Sequence, residues 1–160
     1  VSRGKNAKAK QSTWQGNQQH DAEPESLQII RDFVSRESTD ELLFDYLKVL
    51  AIKEDKNGEA AALLDRMIQE KRGQFRTLKS LYAQLTGRPP EVDAPFFKTP
   101  KSLEQGIADI FIRESENIRK FVRLWTQIPP VFAPYIYPMI IQEQTHLTIL
   151  NYLLLKLQQK

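Results

Sequence analysis

Residues 140–150 read Ile140-Ile141-Gln142-Glu143-Gln144-Thr145-His146-Leu147-Thr148-Ile149-Leu150. Most of these side chains belong in a packed apolar helix, yet a carboxylate and an imidazole stand three positions apart. On a helix that spacing places both on one face, adjacent along the axis. Working outward, Met139, Leu150, Leu153 and Leu157 fall on the same face. The periodicity therefore turns Glu143 and His146 inward, where polar groups are costly unless hydrogen-bonded, paired or bound to a metal.

The same interruption recurs in the other apolar stripes. One reads Leu103, Ile107, Ile110, Glu114, Asn117, Phe121, Leu124, and another Ile30, Phe33, Glu37, Asp40, Phe44, Leu47. Both step by three and four, the signature of an amphipathic helix. A fourth, less regular stripe reads Leu63, Met67, Glu70, Gln74, Leu81. Arg-Glu-Ser stands at equivalent points of two of them, at Arg36-Glu37-Ser38 and Arg113-Glu114-Ser115. Glu37, Glu70, Glu114 and Glu143 each lie near the middle of a predicted helix, so antiparallel packing gathers them at one level.

Stop signals divide the chain. A first helix is expected over 25–53, ending at the Lys56-Asn57-Gly58 turn. A second runs from about Glu59 to Leu85 and stops at Gly87, with Pro89 and Pro90 beyond. A proline-rich connection reaches Pro100. The third helix ends at Pro129-Pro130, and the fourth starts between Pro130 and Pro134 and runs to about Leu157, with Pro138 as a kink or its true start. Four helices of about 25 residues, each ~37 Å long, with one longer crossover between the second and third, predict an all-α antiparallel four-helix bundle. No β-strand pattern is present.

Residues 1–23 form a polar arm without periodicity, with Trp14 as its one large apolar group and the expected anchor. The arm carries Arg3, Lys5, Lys8 and Lys10, and residues 1–20 contain no acid. The formal charge of +3 is thus a property of the arm, since the other 140 residues hold 19 bases against 20 acids. Residues 24–160 form the helical domain. The chain has no cysteine, which excludes disulfides, thiolate metal sites, a thiol nucleophile and iron–sulfur clusters within it. No apolar run of about 18 residues marks a membrane span, and no membrane partner is expected.

Single glutamates on helices one and three, with Glu-x-x-His on helices two and four, are the ligand scheme of ferritin-like di-iron carboxylate proteins. This chain resembles the rubrerythrin-type branch of that superfamily over about residues 25–158, on Leu85-Thr86-Gly87 before the crossover and Glu143-Gln144-Thr145-His146-Leu147 in helix four. It is also similar to ferritin-like proteins associated with spore coats. The resemblance implies a metal site of Glu37, Glu70, Glu114, Glu143 and His146, holding one or two ions of iron or manganese. The absence of cysteine favours a cytoplasmic protein, and the resemblance implies spore association. The second-helix motif departs from the pattern, reading Glu70-Lys71-Arg72-Gly73. Glycine cannot ligate and costs a helix about 1 kcal/mol relative to alanine; Gln74 is the nearest substitute.

Two functions follow. One is metal binding, with iron oxidase or peroxidase chemistry. The other is a metal-free bundle that keeps the fold and serves as a structural or assembly component such as a coat protein. The nearly all-round apolar character of helix four predicts a homodimer formed through it. The basic arm offers a weaker, salt-sensitive contact for nucleic acid. Asp40 and Asn117 read as hydrogen-bonding neighbours of the site rather than ligands, and Tyr46, Tyr135 and Tyr137 as packing residues. His20 lies in the arm and reads as solvated.

Overall fold

The computed structural model describes residues 23–159, so Trp14, His20 and the basic cluster of the arm lie outside the described residues. Among the described residues five α-helices follow one another: α1 (Glu25–Ser35), α2 (Glu37–Glu54), α3 (Glu59–Thr86), α4 (Leu103–Gln127) and α5 (Ala133–Gln158). Among the described residues there is no strand, and no helix is long and apolar enough to cross a membrane.

The helix ends follow from local chemistry. Asp55 stops α2 and starts α3, because its Oδ2 accepts the Ala60 N–H at 2.9 Å and its Oδ1 the Asn57 N–H at 3.1 Å. Gly87 ends α3 at φ +75°, the left-handed conformation that relieves the last carbonyls and that glycine reaches without strain. The Ser102 hydroxyl caps α4 by accepting the Gln105 N–H at 3.1 Å. Pro134 fits the first turn of α5. Pro138 lies inside α5, so the helix begins ahead of it.

The expected single helix over 25–53 is two helices. At Arg36 the backbone turns (φ −92°, ψ 0°), and its N–H bonds back to the Phe33 carbonyl at 3.2 Å. The crossover covers the break. The Asp93 N–H reaches the Ser35 carbonyl at 3.3 Å, and the Phe96 N–H reaches the Thr39 hydroxyl at 3.0 Å. α1 and α2 still share a position, since both pack on α3 and α4.

Antiparallel packing brings α2 along α3 and α4 along α5. The buried side chains form two apolar clusters. One joins α1 to the C-terminal half of α3, the C-terminal half of α4 and the start of α5, through Ile30, Phe33, Leu78, Phe121, Ile136 and neighbours. Phe33 and Phe121 stack there at 4.3 Å between ring centroids. The other joins α2 to the opposite ends of α3, α4 and α5, through Phe44, Leu47, Leu64, Ile107, Leu150 and neighbours. Between them lie the buried polar residues: Asp40 on α2, Lys71 and Gln74 on α3, Glu114 and Asn117 on α4, Glu143 and His146 on α5. Apolar burial on both sides fixes the helices, and the polar layer is held at their middle.

Candidate metal centre

α5 presents Glu143 and His146 to the interior, both with no measurable exposure. α4 presents Glu114 and Asn117 from across the layer, and Asn117 Nδ2 donates to Glu114 Oε2 at 3.3 Å. One ligand atom each from Glu114, Glu143 and His146 lies within 4.8 Å of the others. That spread is close to twice a metal–ligand bond of ~2.0–2.2 Å.

His146 Nε2 lies 2.7 Å from Glu70 Oε2. Because an ionised carboxylate can only accept, this contact assigns the proton to Nε2 and leaves the Nδ1 lone pair facing Glu143. Nδ1 is 3.9 Å from Glu143 Oε2, too far for a hydrogen bond. Burial pushes the His146 pKa down, and this outweighs the opposing charge of Glu114 and the contact with Glu70. The ring is therefore held neutral, the form that ligates metals. Glu70 itself sits at the flank of α3, partly exposed and also ion-paired with Arg66 at 3.1 Å. Burial raises its pKa, but the His146 and Arg66 contacts outweigh this and leave it below the usual carboxylate value.

The centre also contains a cation. The Lys71 Nζ donates to Glu114 Oε1 at 2.8 Å and lies 3.8 Å from Glu143 Oε1 and 4.0 Å from Asp40 Oδ2. Burial alone raises the Glu114 pKa; the charge and hydrogen bond of Lys71 outweigh it and hold Glu114 below its ordinary value. Arg113 Nη1 meets Asp40 Oδ1 at 3.1 Å from the solvent side. The most deeply buried acceptors lack hydrogen bonds: both Glu143 oxygens and His146 Nδ1 have no hydrogen-bond partner, with the Lys71 ammonium 3.8 Å from Glu143 Oε1 as the nearest cation. Native proteins rarely leave such groups unpaired. A set of two carboxylates and one neutral imidazole suits a borderline or hard divalent ion, so the residues present fit one.

The five residues named from the sequence end in different places. Glu114, Glu143 and His146 come together. Glu70 touches the cluster through the imidazole. Glu37 does not reach it and pairs with Lys79 at 2.9 Å at the edge of the bundle. The break at Arg36 ends the continuous helical phase that would carry Glu37 inward after Phe33, and Asp40 takes the buried position on α2. On α3 the buried stripe is Ala60, Leu64, Met67, Lys71, Gln74, Leu78, Leu81, which sets Lys71 in the layer and Glu70 beside it. Gly73 faces an open cavity of about 370 Å³ between α3 and α5, lined also by Glu70, Gln74, Pro138 and Gln142. A Cβ on Gly73 meets only Arg76 Nη2, at 3.9 Å. The residue of α3 that corresponds to His146 is thus Gln74, whose Nε2 donates to Gln142 Oε1 at 3.0 Å.

Lys71 is the residue that the sequence reading missed. Its signal was present in the alternation of four and three from Ala60 to Leu81, but a lysine in a core stripe looks like an interruption rather than a member.

The fold and the site define an all-helical protein with a buried Glu/Glu/His cluster able to hold a metal ion. Comparison with protein families, with curated proteins and with solved structures finds no significant match to this chain.

Proposed function

We propose that this protein is a metal-binding four-helix bundle of the ferritin-like type, with α1 and α2 together as its first helix. One divalent ion, iron or manganese, is held by Glu114, Glu143 and His146 Nδ1. The reading rests on one observation above all: the two Glu143 oxygens and His146 Nδ1 are wholly buried without a hydrogen-bond partner, and Nδ1 lies 3.9 Å from Glu143 Oε2. Glu70 orients the imidazole by accepting its Nε2–H, a carboxylate–histidine arrangement typical of ligating imidazoles. A bound redox ion supplies electron transfer toward O2 or H2O2, which makes iron oxidation or peroxide reduction the reaction class to assay.

Protein purified without chelator and offered Fe2+ or Mn2+ is expected to hold about one ion per chain, the number that one Glu/Glu/His set accommodates. Chelation lowers its melting temperature. Glu143→Gln and His146→Ala abolish binding, whereas Glu70→Ala weakens it by about 10–100-fold, as loss of an orienting partner does. A wild-type protein with no bound metal and a chelator-insensitive melting temperature refutes the reading.

The second reading, a metal-free bundle with a structural or assembly role such as a coat component, is favoured by Lys71 Nζ lying 2.8 Å from Glu114. In that case the Lys71 ammonium, with Arg113 at Asp40, offsets the charge of the layer without a metal, and the refuting result above is the expected one.

A further inference from the structure

We infer that Lys71 is a resident counter-cation standing where a second divalent ion would otherwise bind, so that the layer holds one ion fewer than its ligands allow. The inference deepens the metal-binding reading but rests on a different observation, the surroundings of one ammonium group. Nζ is enclosed by carboxylates from three helices: Glu114 on α4 at 2.8 Å, Glu143 on α5 at 3.8 Å and Asp40 on α2 at 4.0 Å. Lysine is seldom fully buried unless paired, and here the side chain is 4% exposed. Carboxylates converging on one buried point supply the oxygen donors that a divalent ion takes, with waters completing its coordination.

The placement along the helices supports the same assignment. α5 carries Glu143 and His146 three positions apart, and α3 carries Lys71 and Gln74 at the same spacing; all four are buried in one layer. Each helix thus brings a pair to the layer. In α5 the pair consists of ligands, whereas in α3 the first member brings its own positive charge. A lysine cannot dissociate from the site, so the charge of this half is fixed whatever the metal supply.

Removing the ammonium exposes the site. Lys71→Ala opens space and leaves Asp40, Glu114 and Glu143 without their common cation, and Lys71→Gln removes the charge while keeping much of the volume. Each variant is loaded with Mn2+, freed of excess and analysed for metal per chain beside the wild type. Each is expected to bind one more Mn2+ per chain than the wild type, whatever the wild-type number. At Mn2+ about a hundredfold above Kd, the variants' melting temperature rises by roughly 5–10 °C more than the wild type's. Lys71→Arg, which keeps a cation, gains no ion. If Lys71→Ala is unfolded without metal, Mn2+ restores its helical circular dichroism.

Variants that keep or regain helix yet bind no more Mn2+ than the wild type overturn the inference, as does an unfolded Lys71→Ala that Mn2+ fails to rescue alongside a Lys71→Gln that gains no ion. The outcome is separate from that of the proposed function. A count of none in the wild type and one in the variant refutes the wild-type metal site while supporting the role of Lys71. A count of one in both does the reverse.

Discussion

At the scale of single residues, burial and Lys71 act on the protonation of Glu114 and His146. Glu114 has its folded pKa below the ordinary 4.5 and His146 below the ordinary 6.5. A depressed pKa means that the unfolded chain binds the proton more readily, so each group contributes stability that is present above its unfolded value and lost as pH falls through its folded value. Both signs agree. In the presence of chelator, the melting temperature is expected to fall as pH is lowered from 7 through 6.5 and again below 4.5. His146→Phe flattens the upper part of that profile, and an unchanged profile in this variant contradicts the assignment of a buried neutral imidazole.

Residue chemistry also separates what was legible at the site from what was not. Glu114, Asn117, Glu143 and His146 were readable as inward residues because α4 and α5 are unbroken helices with strong apolar neighbours on both sides of the gap. Glu70 lies one position from the buried one, since from Met67 a step of three reaches Glu70 and a step of four reaches Lys71, and both routes continue to Gln74. At about 3.6 residues per turn, a one-position error rotates the assignment by roughly 100° and exchanges Lys71 for Glu70.

At the scale of elements, the decisive feature is the join between α1 and α2. No proline or glycine lies between Ser35 and Glu37, so nothing local announces a break. The partners that cover it come from the crossover, about sixty residues later in the chain. Thr39 is the residue on which this docking is tested. Thr39→Val keeps the shape but removes the acceptor for the Phe96 N–H. The expected cost is about 1 kcal/mol, the usual worth of one hydrogen bond, with faster amide exchange at Phe96. Undiminished protection at Phe96 shows that the crossover is held by other contacts. Gly106 supports the same region from α4: a Cβ there would stand 2.5 Å from Leu47 Cδ2 and 3.2 Å from Pro100, so any larger residue displaces the Leu47 side chain and crowds the crossover.

At the scale of the whole molecule, two apolar clusters flank one charged layer, and apolar surface remains on the outside. Tyr137, Ile141, Tyr152 and Leu155 lie along the outward face of α5, each more than two-fifths exposed, with Trp125 of α4 beside Tyr137 at 6.0 Å between rings. We propose that a second copy of the chain covers this face, as the apolar character of the helix predicts. Sedimentation equilibrium is expected to give a dimer that Ile141→Lys with Leu155→Lys converts to monomer. A wild-type monomer at about 100 μM, well above the Kd of a specific interface, removes the proposal.

Apart from the join between α1 and α2, the sequence by itself determined the helices, their stops and the level at which polarity enters the core. Each of these depends on neighbours within one or two turns: apolar spacing, proline, a capping serine and glycine at positive φ. On α2 and α3, tertiary structure alone decided which polar residue faces the centre. It set Asp40 inward and Glu37 outward through a break held by the distant crossover, and it set Lys71 among three carboxylates that approach from three other helices. Periodicity gives the face of a helix only while the helix is continuous and its phase unambiguous. The charge balance of a buried layer depends on side chains that meet only when the helices pack.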